Sequence, residues 1–275
     1  MMKFWTVDAF TDRLFSGNPA AVCLVDSFPD DGLMQKIATE INLSETAFLV
    51  PAQTASQENS HFSIRWFTPT VEVNLCGHAT LAAAHVLWNE LDEPPSSPVY
   101  FDSRSGVLMA RKDENSITLD FPAQYPELMC MPGDLIDALQ LESWDVAPVS
   151  VSKACDDILV ELRTAKEVIN LRPDIAKLAE IDCHGIIVTA EGKKDSPYDF
   201  VSRYFSPRVG VNEDPVTGAA HCKLTPYWAE KLGKNKFTAF QASKRGGILT
   251  LALEHDRVLI TGQAVTAFRG KFLAV

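Results

Sequence analysis

Positive charge is in short supply in this chain: 25 Lys and Arg stand against 36 Asp and Glu, a formal net charge of −11. Such a balance lacks the basic surface that displaces counterions from a phosphate backbone, which excludes sequence-independent nucleic-acid binding. It leaves room for one locally positive site that takes a small anion. No run of 18 or more apolar residues is present, so no membrane span is expected. The opening Met1-Met2-Lys3-Phe4-Trp5-Thr6-Val7-Asp8 has no basic region followed by an apolar stretch and a cleavage site, so no signal peptide is expected. The six cysteines, at 23, 76, 130, 155, 183 and 222, form no Cys-x-x-Cys pair. Free thiols in a cytoplasmic protein follow, and structural zinc does not. The spacing of the six histidines supports no metal site. A Gly-x-Gly-x-x-Gly or phosphate-loop pattern is also missing, so nucleotide binding has no support, and nothing favours a pyridoxal phosphate lysine.

What is present is one device built twice. Cys76-Gly77-His78-Ala79-Thr80-Leu81-Ala82-Ala83-Ala84 and Asp214-Pro215-Val216-Thr217-Gly218-Ala219-Ala220-His221 each lead from polar and Gly residues into an Ala-rich run. A helix opening on Gly exposes amides with no partner of their own, and the macrodipole adds partial positive charge. That is a ready seat for a carboxylate. Aligned over 76–91 and 217–232, the copies match only at Gly77/Gly218, Ala79/Ala220 and Leu91/Leu232. Two seats, one per half of a chain of 275 residues, point to a ligand held between two similar domains.

The pattern along the chain is mixed. Strands are predicted at 3–10, 20–25, 46–50, 61–67 and 71–75, and a helix at 31–39. The helix predicted over 77–91 has almost no polar face, so it is buried on all sides and calls for a curved sheet wrapped around it. Strands at 99–109 and 116–121 close the first half, and the Pro-rich stretch 121–132 is the predicted boundary. The expected domains are 1–121 and 122–275, with the last strand free to return to the first. In the second half, strands at 158–162, 185–190 and 200–205 precede a helix over 218–232. Pro226 is expected to kink that helix or restrict its first turns. The pattern is therefore α+β, a curved sheet wrapped around a central helix in each half.

Several side chains could carry chemistry. Glu45, between a polar turn and an apolar strand, would lose solvation in a cleft and shuttle a proton near neutral pH. Read alone, it is more simply a solvated turn residue. Asp214, before Pro215, is a second proton carrier, a ligand-orienting group or a turn cap. His78, in the first helical turn, should be kept neutral by the helix end. His85 and His221 read as satisfied core residues. Cys76 raises the idea of a racemase with a thiol on each side of the substrate carbon, its pKa depressed by the helix end. The second thiol is missing, since Thr217 holds the matching position, and Cys76 reads mainly as a small buried residue beside the site.

Ser16-Gly17-Asn18-Pro19-Ala20, Leu43-Ser44-Glu45-Thr46-Ala47-Phe48, Leu75-Cys76-Gly77-His78, Arg203-Tyr204-Phe205-Ser206-Pro207 and Asp214-Pro215-Val216-Thr217-Gly218 together resemble the PhzF-like (phenazine biosynthesis-like) family, in order and spacing. The resemblance implies the diaminopimelate epimerase-like fold, with two domains each built as a mostly antiparallel, barrel-like sheet around a central helix. It further implies a cofactor-free isomerase acting on a small anionic, carboxylate-bearing substrate in an interdomain cleft. It implies Glu45 as proton carrier, and Gly77, His78, Asp214, Thr217, Gly218 and Ala219 as substrate-binding residues, with Asn18 and Cys76 close by. It also implies a homodimer. The family pattern usually has Ser where this chain has Ala219, which points to a different natural substrate. A racemase working through Cys76 and a non-catalytic carboxylate binder are the rival readings.

Overall fold

The residues described by the computed structural model, 2–52, 60–141 and 148–273, belong to two units, Met1–Phe121 with Leu259–Val275 and Pro122–Val258. In the first, β1 (Lys3–Ala9) runs antiparallel to β2 (Asn18–Leu24). Helix α1 (Asp31–Ile41) then returns the chain so that β3 (Glu45–Pro51) lies parallel to β2. β4 (Ser60–Phe67) is antiparallel to β3, and a two-residue β5 (Glu72–Val73) is antiparallel to β4. Helix α2 (Gly77–Asn89) carries the chain to β6 (Val99–Ser103), parallel to β4, and the antiparallel strands β7 (Gly106–Asp113) and β8 (Ser116–Pro122) follow.

Local chemistry sets these elements. Asp30 caps α1 by accepting from the Leu33 amide, and Asn42 ends the helix in the left-handed region. Its buried Met34, Ile37 and Ala38 pack with Cys23, Phe48 and Phe67. In α2, 11 of 13 residues are buried. With no polar face to turn to water, it must be enclosed, and it packs on β1, β2 and β3.

The second unit repeats this plan. Short β9 (Glu127–Leu128) and helix α3 (Leu135–Ala138) lead to β10 (Ser150–Ala154) and β11 (Asp157–Glu161), an antiparallel pair. Helices α4 (Ala165–Asn170) and α5 (Ile175–Glu180) then return the chain to β12 (Gly185–Glu191), parallel to β11. β13 (Phe200–Ser206) is antiparallel to β12, and β14 (Val211–Asp214) to β13. After helix α6 (Gly218–Leu232), β15 (Lys236–Gln241) lies parallel to β13, and β16 (Gly247–Glu254) antiparallel to β15. The order of pairings from β10 to β16 is that from β1 to β7, with the long helix at the same step.

The structure adds detail to these expectations. The strand predicted over 71–75 shrinks to β5. Helices α3, α4 and α5 have no counterpart in the sequence reading. α6 runs through Pro226, and the Cys222 carbonyl that proline cannot bond accepts from the Gln124 amide at 3.0 Å. The second unit ends at Val258, and the last strand returns to the first unit as the sequence reading allowed: β18 (Ala264–Lys271), reached through β17 (Arg257–Gly262), forms an antiparallel ladder with β1. No helix among the described residues is long and apolar enough to cross a membrane.

Burial drives two histidines the same way. His85 on α2 and His221 on α6 are each pushed down to about 4, so both stay neutral in the folded protein. The unfolded chain binds more protons between the ordinary histidine value and pH 4, so stability falls as pH drops through that window. Each contributes on the order of 3 kcal/mol. Urea unfolding at pH 7 and 4.5 is expected to show a clear loss at the lower pH. His221→Gln should shrink that loss by about one histidine's share, and an unchanged pH dependence would contradict neutral burial of His221.

Candidate active site

Parallel strands begin on the same edge of a sheet. β2 and β3 therefore bring their first residues, Asn18 and Glu45, together, and α2 opens at the same edge. The approach to Asn18 is a tight turn in which Phe10, Phe15 and Gly17 all have positive φ, at 63°, 66° and 63°. A Cβ on Gly17 would stand 2.1 Å from the Ala9 carbonyl oxygen, so only glycine fits. The buried Asp8 fastens the turn by accepting from the Phe15 amide at 2.7 Å.

Four of the predicted site residues meet here through His78. Its Nε2 lies 3.0 Å from Oε2 of Glu45. On the other side of the ring, Nδ1 lies 3.0 Å from Nδ2 of Asn18 and 3.5 Å from Sγ of Cys76. An amide can meet Nδ1 as donor to the neutral ring or, turned over, as acceptor from the imidazolium. His78 and Asn18 are buried, and the Glu45 side chain keeps 16% exposure, so the carboxylate is the member of the group that reaches solvent.

Burial disfavours charge on His78, but Cys76 and Glu45 outweigh it and hold its proton well above the usual histidine range. Burial, helped by the Glu45 charge, pushes the Cys76 thiol up to about 11, against the pull of His78 and the Ala79 amide. Cys76 is therefore a thiol at neutral pH, and both neighbours of the ring, Cys76 and Glu45, favour the proton on His78. Two expectations are overturned: the helix end neither keeps His78 neutral nor depresses the Cys76 thiol. At His78 the Cys76 and Glu45 side chains together outweigh the half charge of a helix end, and at Cys76 burial does.

Glu45, Cys76 and His78 also form the one set of metal-ligand types that comes together among the described residues, with ligand atoms within 4.8 Å of one another. Histidine spacing could not reveal it, since the carboxylate comes from a strand over thirty residues away in sequence.

In the second unit, the predicted residues Asp214, Thr217, Gly218 and Ala219 form one turn between β14 and α6. Thr217 is the N-cap residue, yet its side chain makes no capping bond to the helix. Its hydroxyl donates instead to Oδ2 of Asp214. His221 Nδ1 is 2.8 Å from the Thr217 carbonyl, so His221 is a working part of the turn rather than core filling alone. Two residues that the sequence reading missed complete it. Gln241, fully buried at the end of β15, bonds both ends of the turn, and Ser243 donates to the Pro215 carbonyl at 2.8 Å. A glutamine ending an alternating strand carries no sequence signal of such a role. Just upstream, Arg203 holds Glu213 through two bonds of 2.7 and 3.0 Å and donates to the Leu171 carbonyl, which fixes β14.

A family model described as phenazine biosynthesis-like protein matches residues 7–270. An uncharacterized isomerase of Halalkalibacterium halodurans is 50% identical over 271 residues, 98% of this chain and 97% of that protein. A solved phenazine biosynthesis protein of the PhzF family from Enterococcus faecalis has a TM-score of 0.88 at 38% identity, covering 99% of each chain. The fold alone extends to a probable proline racemase of Agrobacterium radiobacter, with a TM-score of 0.67 at 8% identity over 100% of this chain and 94% of that one. With its motifs gathered as described and matched over nearly its whole length, the chain belongs to the phenazine biosynthesis-like family and is an isomerase.

Proposed function

We propose that this isomerase works without a cofactor and moves a proton on a small carboxylate-bearing substrate, with Glu45 as the group that carries the proton. The observation that supports this best is the Glu45–His78 pair at the buried start of α2, 3.0 Å apart. Glu45 takes a proton from a carbon activated by a neighbouring carboxylate or double bond. Negative charge then spreads over the substrate, where protonated His78 and the first amides of α2, beginning at Gly77, stabilise it. Glu45 returns the same proton to another carbon of the delocalised system, so the sum is an isomerisation with no net gain or loss of protons. Asp214, Thr217, Gly218 and Ala219 orient the substrate from the second helix start.

The rival reading makes Cys76 the proton carrier, and its 3.5 Å contact with His78 is what favours it. A thiol held near 11 is a poor base at neutral pH, which weighs against it.

Deuterium uptake followed by NMR in D2O, over a panel of small α-amino and unsaturated carboxylic acids, tests the main reading. Glu45→Gln is expected to lose uptake by roughly 10²–10⁴-fold; undiminished uptake would remove Glu45 from the role. Iodoacetamide at pH 7.5 is expected to label the exposed Cys130 and Cys155 and leave Cys76 intact. Rapid labelling of Cys76 with loss of activity would hand the chemistry to the thiol. Ala219→Ser restores a hydroxyl on the first turn of α6, and should reorder the panel by about tenfold through one added hydrogen bond. An unchanged order would place Ala219 away from the substrate.

A further inference from the structure

Gln241 makes three bonds to a turn that the sequence places far from it. Its Oε1 accepts from the Thr217 amide at 2.8 Å, and its Nε2 donates to the Asp214 carbonyl at 2.8 Å and to the Thr217 hydroxyl oxygen at 3.1 Å. All of this lies where Gln241 is fully buried. The Thr217 hydroxyl is therefore held from two sides, accepting from Gln241 and giving its own proton to Asp214, and it is turned away from α6.

That hold has a consequence at the helix. A threonine at an N-cap ordinarily turns its oxygen onto the amides of the second and third helical residues, here Ala219 and Ala220. Thr217 makes no such bond. The first amides of α6 consequently keep their donors for something else, although the helix begins in largely buried surroundings. Two other helices of the same unit show the ordinary arrangement, Thr164 capping α4 and Asp174 capping α5 through their side chains, whereas the four-residue α3 has no side-chain cap at Asp134.

We propose that Gln241 is a positioning residue that holds the Thr217 hydroxyl off α6 and so keeps the Ala219 and Ala220 amides open for the substrate carboxylate. This rests on the reading, given above, that the start of α6 receives that carboxylate. The clamp acts through Thr217 and touches no reacting atom.

The test joins a structural readout to a functional one. In Gln241→Met the freed hydroxyl is expected to swing onto α6, and amide hydrogen exchange at Ala219 and Ala220, followed by NMR, should slow at least tenfold. Benzoate titrated against the same two amides should bind about tenfold more weakly than to the unmodified protein. With an active panel compound, KM should rise by a similar factor while kcat changes less. Thr217→Val cannot cap, so adding Gln241→Met to it should shrink each of these effects to less than twofold. A merely structural role for Gln241 would give the same loss in both backgrounds, and that result overturns the proposal. So does unchanged exchange at Ala219 and Ala220 in Gln241→Met. If Gln241→Met does not fold, Gln241→Glu keeps the acceptor for the Thr217 amide, removes the donors to the hydroxyl, and carries the same expectation. Slowed exchange together with no carboxylate binding in the unmodified protein would uphold the clamp and refute the functional reading instead.

Discussion

A helix without a polar face cannot rest on one side of a sheet, and α2 is such a helix, with only His85 and Asn89 outside its buried set. Enclosure is the constraint from which the site follows. Once the helix is wrapped by β1, β2 and β3, its first turn is as dry as its middle, and Gly77, His78 and Ala79 are all buried. Charges that would be screened in water then act at close range. A glutamate and a histidine 3.0 Å apart set each other's behaviour there, whereas on a surface they would add little. The parallel pairing of β2 with β3 supplies the rest, because it delivers Asn18 and Glu45 to the edge where the helix begins.

The duplication kept architecture and let chemistry diverge. Pairing order and helix placement agree between the units, yet the two helix starts are furnished differently. The first has the titratable Glu45, Cys76 and His78. The second has hydroxyl and amide groups around one carboxylate, and its helix is anchored by a separate buried network. Lys223 on α6 lies 2.9 Å from Asp157 on β11, and Asp157 also accepts from the Tyr204 hydroxyl at 3.1 Å. Removing one partner of such a pair would leave a buried charge uncompensated, at a cost of about 3–5 kcal/mol. The first start is suited to moving a proton and the second to holding a shape.

Much of this could be read from residues alone, for physical reasons. An apolar run such as 79–84 has only one use in a folded chain, so the enclosed helix and the curved sheet around it were legible. Read alone, Glu45 passed for a solvated turn residue and Asp214 for a turn cap, and it was the joint order and spacing of the short motifs, through their family resemblance, that singled them out with His78. Helices α4 and α5 were overlooked although their caps were written in the sequence: Thr164 and Glu167 form a capping box, and Asp174 accepts from the next turn. Their six residues were too short for helical spacing to show. The protonation of His78 and Cys76 was illegible, because it depends on neighbours within 3.5 Å that lie far apart along the chain. Gln241 was illegible for the same reason.

The ladder between β1 and β18 joins the first strand to the last one described. Residues up to Phe121 hold most of the first unit, but β1 has an open edge until β18 arrives. During synthesis the whole second unit is made while that edge stands exposed, and its contacts are local by comparison. Loop-closure entropy makes the most distant pairing the slowest to form. The order of folding is therefore inverted relative to the order of synthesis: the part made first, which carries Glu45 and His78, is the part completed last.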